Sequence, residues 1–159
     1  MRYVGAPVER LEDLRLLRGR GQFVDDLTAP DTLHLAVFRS PVAHGLVKSI
    51  DTSAARALPG VRLVLTADDL EGGVPTIPMR MEPHPDLVAF EQPVIAVDKV
   101  RYVGEPIAIV VAESPALAED AVGLIVADIE PLRPFMGRQT PIEEAHVCLM
   151  DAPATSHSS

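Results

Sequence analysis

The chain has 159 residues, 47% of them apolar and 4% aromatic, with a formal net charge of −9. That length and apolar content suit one domain with a real core, and an acidic balance without a Lys or Arg cluster lacks the electrostatic footprint of a nucleic-acid binder. No apolar run approaches the ~20 residues of a membrane span, and the opening MRYVGAPVERLEDLR is too charged for a secretory signal, so a cytoplasmic location is expected.

Residues 1–32 carry many charges and several turn residues. They read as an N-terminal arm whose Leu14, Leu16, Leu17 and Phe23 are anchors for the domain or for a partner. Gly19 and Gly21 do not make a dinucleotide fingerprint, because no third glycine follows and no apolar strand precedes them. Asp25 and Asp26 are adjacent, so in extended chain they point to opposite sides, which makes them a turn rather than an acid/base pair.

Leu33 to Arg39 is rich in β-formers and ends at Ser40-Pro41. His34 and Phe38 fall on the same side of that strand. Leu46 to Ile50 follows Gly45 as a second strand. Asp51 or Thr52 can cap a brief helix through Leu58, which Pro59-Gly60 terminates. Val61 to Leu65 is a third strand, and Thr66 with Asp69 three residues on gives a capping-box pattern for one turn at Ala67 to Leu70.

Between Glu71 and Pro93 five prolines and two adjacent glycines argue against regular structure, and a loop this long in a compact domain is usually functional or mobile. Met79, Met81 and His84 read as a loop pinned by apolar anchors more readily than as a soft-metal site. Val94 to Val97 and Val100 to Val103 are two more short strands.

Ile107 to Ala112 is unbroken apolar and β-rich, the pattern of a strand covered on both faces. Ser114 can accept a backbone N–H as N-cap and Pro115 suits the first helical position, so a helix starts there. Its stripe is Leu117, Ala121, Leu124 and Ile125. Val126, Asp128 and Glu130 alternate with Ala127 and Ile129 as a last strand before Pro131, completing a β-α-β order. After Leu132 the pattern decays, and residues 133–159 read as a loosely held tail.

Cys148 is the single cysteine, which excludes an internal disulfide and a four-thiolate iron–sulfur cluster within the chain. His34, His44, His84, His146 and His157 show no spacing that puts two ligands on one helical face. Metal binding by this chain is not expected. His44 or His84 beside a carboxylate is the remaining arrangement for an independent small enzyme, since such groups meet only in the fold.

The blocks VERLEDLRLLRGRGQFVDD, LHLAVFRSPVAHGLVKSIDTSAARALPGVRLVLTADDL, VRYVGEPIAIVVAESPALAEDAV and VADIEPL, in that order from about Val8 to Leu132, resemble the N-terminal α/β-hammerhead domain of the large, molybdenum-binding subunit in the xanthine dehydrogenase, aldehyde oxidase and carbon monoxide dehydrogenase family. The resemblance implies an α+β fold, a mixed sheet of short strands with two or three helices over residues 33–132. It implies no catalytic, cofactor-binding or metal residue in this stretch. In the family, later domains carry the molybdopterin-binding segments and the catalytic glutamate, while iron–sulfur clusters and FAD lie on other subunits or domains. The complete enzymes insert a water-derived oxygen at a C–H bond of an aldehyde or N-heterocycle. The chain departs from the pattern at Ile129, where an aromatic is common, and at Arg133-Pro134-Phe135-Met136.

Two functions follow. One is the structural hammerhead portion of a molybdenum hydroxylase, inactive alone, with the other subunits or domains as partners. Its exposed apolar surface would favour homo-oligomers or poor solubility. The other is a free-standing binding or assembly module with a pocket beside the loop Glu71 to Pro93.

Overall fold

The computed structural model describes residues 4–27, 29–78 and 91–134. The chain divides into two units, Met1–Thr32 and Leu33–Ser159.

The first unit holds a five-residue helix, α1 (Asp13–Leu17), and a 3-10 turn at Val24–Asp26. So short a helix has little intrinsic stability, and neither element has a buried residue. Asp26 does make a turn, its Oδ2 accepting the Phe23 N–H at 2.9 Å. Leu14, Leu16, Leu17 and Phe23 are all exposed.

The second unit is built around β5 (Pro106–Ala112). Branched residues at Ile107, Ile109, Val110 and Val111 favour a strand, and both of its edges are occupied. It lies between β1 (His34–Arg39) and β3 (Val61–Leu65) in a sheet of order β1-β5-β3. A second sheet has the order β4-β2-β6, with β2 at Gly45–Asp51, β4 at Lys99–Val100 and β6 at Val126–Pro131. Every ladder is antiparallel. The α+β class holds, and the expected single mixed sheet resolves into two antiparallel ones. The β-α-β order is present, yet its two strands do not share a sheet. β1 and β3 already saturate β5, so β6 pairs with β2 instead.

The helix between them, α3 (Pro115–Val122), starts as its sequence dictates: Ser114 Oγ accepts the Leu117 N–H at 3.2 Å and Pro115 occupies the first turn. It stops at Gly123, earlier than the expected stripe, and the buried positions are Ala118 and Ala121, with Ile125 just beyond; Leu124 is exposed. Two alanines let this helix lie close on β1 and β5. α2 (Ser53–Ala57) follows Asp51, whose Oδ1 accepts the Ser53 N–H at 2.9 Å, and buries Ala55 against Val64 and Ala108. Complete burial of a Val or Ile side chain contributes about 1.5–3 kcal/mol.

The register of β1 against β5 passes from Phe38–Ala108 to Arg39–Pro106 and skips Ile107. That bulge lets Ile107 pack with Ala96 and Val100 beneath the second sheet. Of the two strands expected around residues 94–103 only β4 forms. Ala96 bonds Pro106 instead, and the Arg101 N–H is taken by the Glu105 carboxylate. The long proline-rich loop has a regular neck. Thr76 bridges Pro93, Ile77 N–H donates to Gln92 O at 2.7 Å, and Val94 N–H donates to Pro75 O at 3.0 Å. Met79, Met81, His84, Cys148, His146 and His157 lie outside the described residues. No described helix is long and apolar enough to cross a membrane.

Candidate functional site

Three pieces of chain converge where β1 ends, β2 begins and β6 ends. Pro41 cannot donate to a ladder, so β1 stops and Ser40 turns toward the segment 101–106. Ser40 N–H donates to Glu105 O and Ser40 O accepts from Gly104 N–H, both at 2.9 Å. The Ser40 hydroxyl donates to Val42 O at 2.8 Å and accepts the Val42 N–H at 3.2 Å. Both of its roles are filled within its own turn, which leaves it poorly placed as a nucleophile. Arg39 reaches across to Gly104 O at 2.9 Å, and Gly104 takes φ +90°, a conformation that side chains disfavour.

Beneath this zipper lies a buried ion pair. Arg101 Nη1 and Glu105 Oε1 are 3.2 Å apart, with side chains only 4% and 2% exposed. Charges removed from water to this extent must be compensated by geometry. Glu105 Oε2 accepts the Arg101 backbone N–H, and Arg101 Nη1 also donates to Lys99 O at 2.8 Å. The pair closes the turn Arg101–Glu105 from inside, while Tyr102 and Val103 at its tip are exposed.

His44 is 1% exposed. Its ring Nδ1 lies 3.1 Å from Arg133 O, and since a carbonyl only accepts, the proton sits on Nδ1. His44 O accepts the Leu132 N–H at 2.9 Å. One residue therefore holds the chain at two successive points as it leaves β6. Nε2 is buried without a hydrogen-bond partner among the described residues.

His34 lies half-buried on β1, and Asp25 and Asp26 are exposed on the first unit's 3-10 turn. Among the described residues no carboxylate is hydrogen-bonded to His44. Among the described residues no group of three His, Cys, Asp or Glu is placed to hold a metal ion. Asp69, matching the capping-box pattern, gathers Thr66 N–H at 2.8 Å, Thr66 Oγ1 at 2.9 Å and Arg56 Nη2 at 2.7 Å on Oδ2. The Thr66 N–H, with help from Arg56, holds its carboxyl below the usual aspartate value. Asp51 is lowered likewise by its bonds to Ser53. Both are helix-start devices. A hollow of about 280 Å3 opens between Val47–Ile50, Ala67, Asp68, Val97 and Asp98. Its cation, Lys48, is already paired with Glu130 at 2.6 Å.

The arrangement can fix loop positions and the exit of β6. It offers no activated nucleophile. The sequence pattern predicts a short strand at Val100 to Val103 and does not show the Arg101–Glu105 pair. Its signal was an Arg four residues before a Glu that is wedged between Gly and Pro ahead of an apolar run.

Residues 18–133 match the family model described as "Aldehyde oxidase and xanthine dehydrogenase, a/b hammerhead domain". The chain is 41% identical over 150 residues to the nicotine 6-hydroxylase large subunit of Paenarthrobacter nicotinovorans, covering 94% of this chain and 18% of that protein. It is 42% identical over 129 residues to the carbon monoxide dehydrogenase large chain of Afipia carboxidovorans, covering 81% of this chain and 15% of that one. Among solved structures, quinoline 2-oxidoreductase from Pseudomonas putida 86 superposes with a TM-score of 0.67 at 42% identity, covering 79% of this chain and 16% of that chain. The chain thus spans less than a fifth of the length of these relatives.

Proposed function

The chain belongs to the aldehyde oxidase and xanthine dehydrogenase a/b hammerhead family, and from that membership we propose that it is the structural hammerhead portion of a molybdenum hydroxylase large subunit, without a catalytic centre of its own. The observation that carries this reading is identity across 94% of the chain, confined to 18% of a large-subunit relative. In this reading residues 1–32 are an arm, 33–132 the hammerhead proper and 133–159 the start of a linker, and the protein works in the cytoplasm with the other domains or subunits of the enzyme.

Molybdopterin, iron–sulfur clusters and FAD belong to those other parts. The residues described here do not fit them. The buried polar groups of Ser40, Arg101 and Glu105 are directed at one another and at backbone, so these three offer no free donor to a pterin or a phosphate. Chemistry at an aldehyde or N-heterocycle C–H would take place elsewhere, and this domain would shape the scaffold around it.

The test is gentle purification of the tagged protein from its own organism, with molybdenum and iron content and the masses of accompanying chains measured. Both metals, together with polypeptide matching the remainder of a large subunit, are expected. A bare, metal-free chain would refute the reading.

A further inference from the structure

The run Ile107 to Ala112 has the pattern of a strand covered on both faces, yet the described structure of its unit covers one. On the inner face α3 and α2 pack over Ala36, Ala108, Val110 and Ala112. The outer face presents two cross-strand rows, Leu35–Val111–Leu63 and Val37–Ile109–Leu65, set by the register of β1 and β3 on β5. All six side chains are apolar. Leu35 is 60% and Leu63 44% exposed, while Val37, Leu65, Ile109 and Val111 are half-buried, and the helices of this unit with extensive contacts to the sheet pack on its inner face. Arg39 at the end of β1, and Arg62 in β3 paired with Glu113 just past β5, form a charged rim. An uncharged apolar centre inside a polar rim is the anatomy of a permanent interface.

We propose that this outer face of the β1-β5-β3 sheet is the surface on which the remaining large-subunit domains dock, through an apolar surface of their own. The inference rests on the large-subunit reading above and adds which face is used. Two observations choose this occupant. The relatives hold more than four-fifths of their length outside the matched region, so the missing cover has a source in the same enzyme. A second copy of this chain would bring the same formal charge of −9, and like-charged surfaces oppose association.

Hydroxyl-radical footprinting of the isolated 159-residue chain and of the native molybdenum-containing assembly tests the proposal. Oxidation of Leu35 and Leu63 should fall about tenfold in the assembly, while Val126, exposed on the other sheet, should label equally in both. In parallel, Leu35→Glu/Leu63→Glu should reduce recovery of molybdenum and the large-subunit remainder with the tagged protein by about tenfold or more. The isolated variant should keep the wild-type thermal midpoint, because both positions are exposed. The control Leu124→Glu/Val126→Glu should retain both. Unchanged labelling with normal recovery by the double variant would overturn the docking face and leave the large-subunit reading standing. A wild-type dimer that the variant splits into monomers would also overturn it, in favour of a second copy. A wild-type protein with neither molybdenum nor large-subunit polypeptide would overturn both.

Discussion

Truncating Glu105 is the sharpest probe of how this domain holds its shape. Glu105→Ala removes the carboxylate that faces the Arg101 guanidinium at 3.2 Å and accepts the Arg101 backbone N–H. Arg101 is then left with a charge in a site only 4% exposed, still donating to Lys99 O. Removing one partner from a pair buried this deeply costs about 3–5 kcal/mol, which for a domain of this size lowers the thermal midpoint by more than about 10 °C. Urea unfolding of the chain, followed by circular dichroism, measures the difference, with the slope checked for constancy. Glu105→Leu combined with Arg101→Met should recover most of the loss, because neither charge is then buried. A single Glu105→Ala variant within about 1 kcal/mol of wild type at unchanged slope would refute the reasoning, since it would mean that solvent reaches Arg101.

Three further outcomes are expected. Gly45→Ala places a Cβ 2.6 Å from Ile129 Cγ2 and 2.9 Å from Glu130 O, and because the second contact is backbone the sheet must shift; a loss of about 1–3 kcal/mol is expected in the same urea assay. Asp69→Ala should cost about 1–2 kcal/mol near neutral pH by removing the helix-start acceptor. The folded carboxyl of Asp69 lies below the ordinary aspartate value of 3.8, so the unfolded chain binds the proton first as pH falls. Its contribution is full above that value and disappears on acidification through the lower folded one, and wild type and variant should converge there. Ser114→Ala removes the acceptor for the Leu117 N–H and should cost about 1 kcal/mol, read as faster hydrogen exchange in the first turn of α3.

What the sequence made legible were features decided locally. Ser114-Pro115 starts α3, Thr66 with Asp69 starts its turn, and Val61–Leu65 is a strand because each choice depends on neighbours within four residues. Pairing was less legible. That β6 leaves β5 for β2 depends on β1 and β3 having filled both edges of β5, a competition that no single segment displays. The helix stripe was legible at Leu117, Ala121 and Ile125 and failed at Leu124, which is exposed, while close approach to the sheet adds Ala118 beside Ala121. The Arg101–Glu105 pair escaped because charged residues four apart read as solvated unless both neighbouring loops are known to fold over them.

The distribution of apolar side chains links stability to the proposed role. Of the fourteen buried hydrophobic residues described, eight are alanines and none is a leucine, while Leu33, Leu35, Leu63 and Ile77 are all exposed. Burial energy scales with apolar area, so a core of alanines stabilises weakly for its length. Two ionisable residues, His44 and Glu105, stand among the largest fully buried side chains, and such groups set geometry more than they add net stability. A domain arranged in this way keeps its loops in register through the polar cluster and leaves its larger apolar groups for contact with something else. The isolated chain should therefore bind a hydrophobic dye in its native state while keeping near-ultraviolet signals of fixed packing, and the native assembly should bind far less. Equal dye binding by chain and assembly would break the link between the thin core and the uncovered sheet.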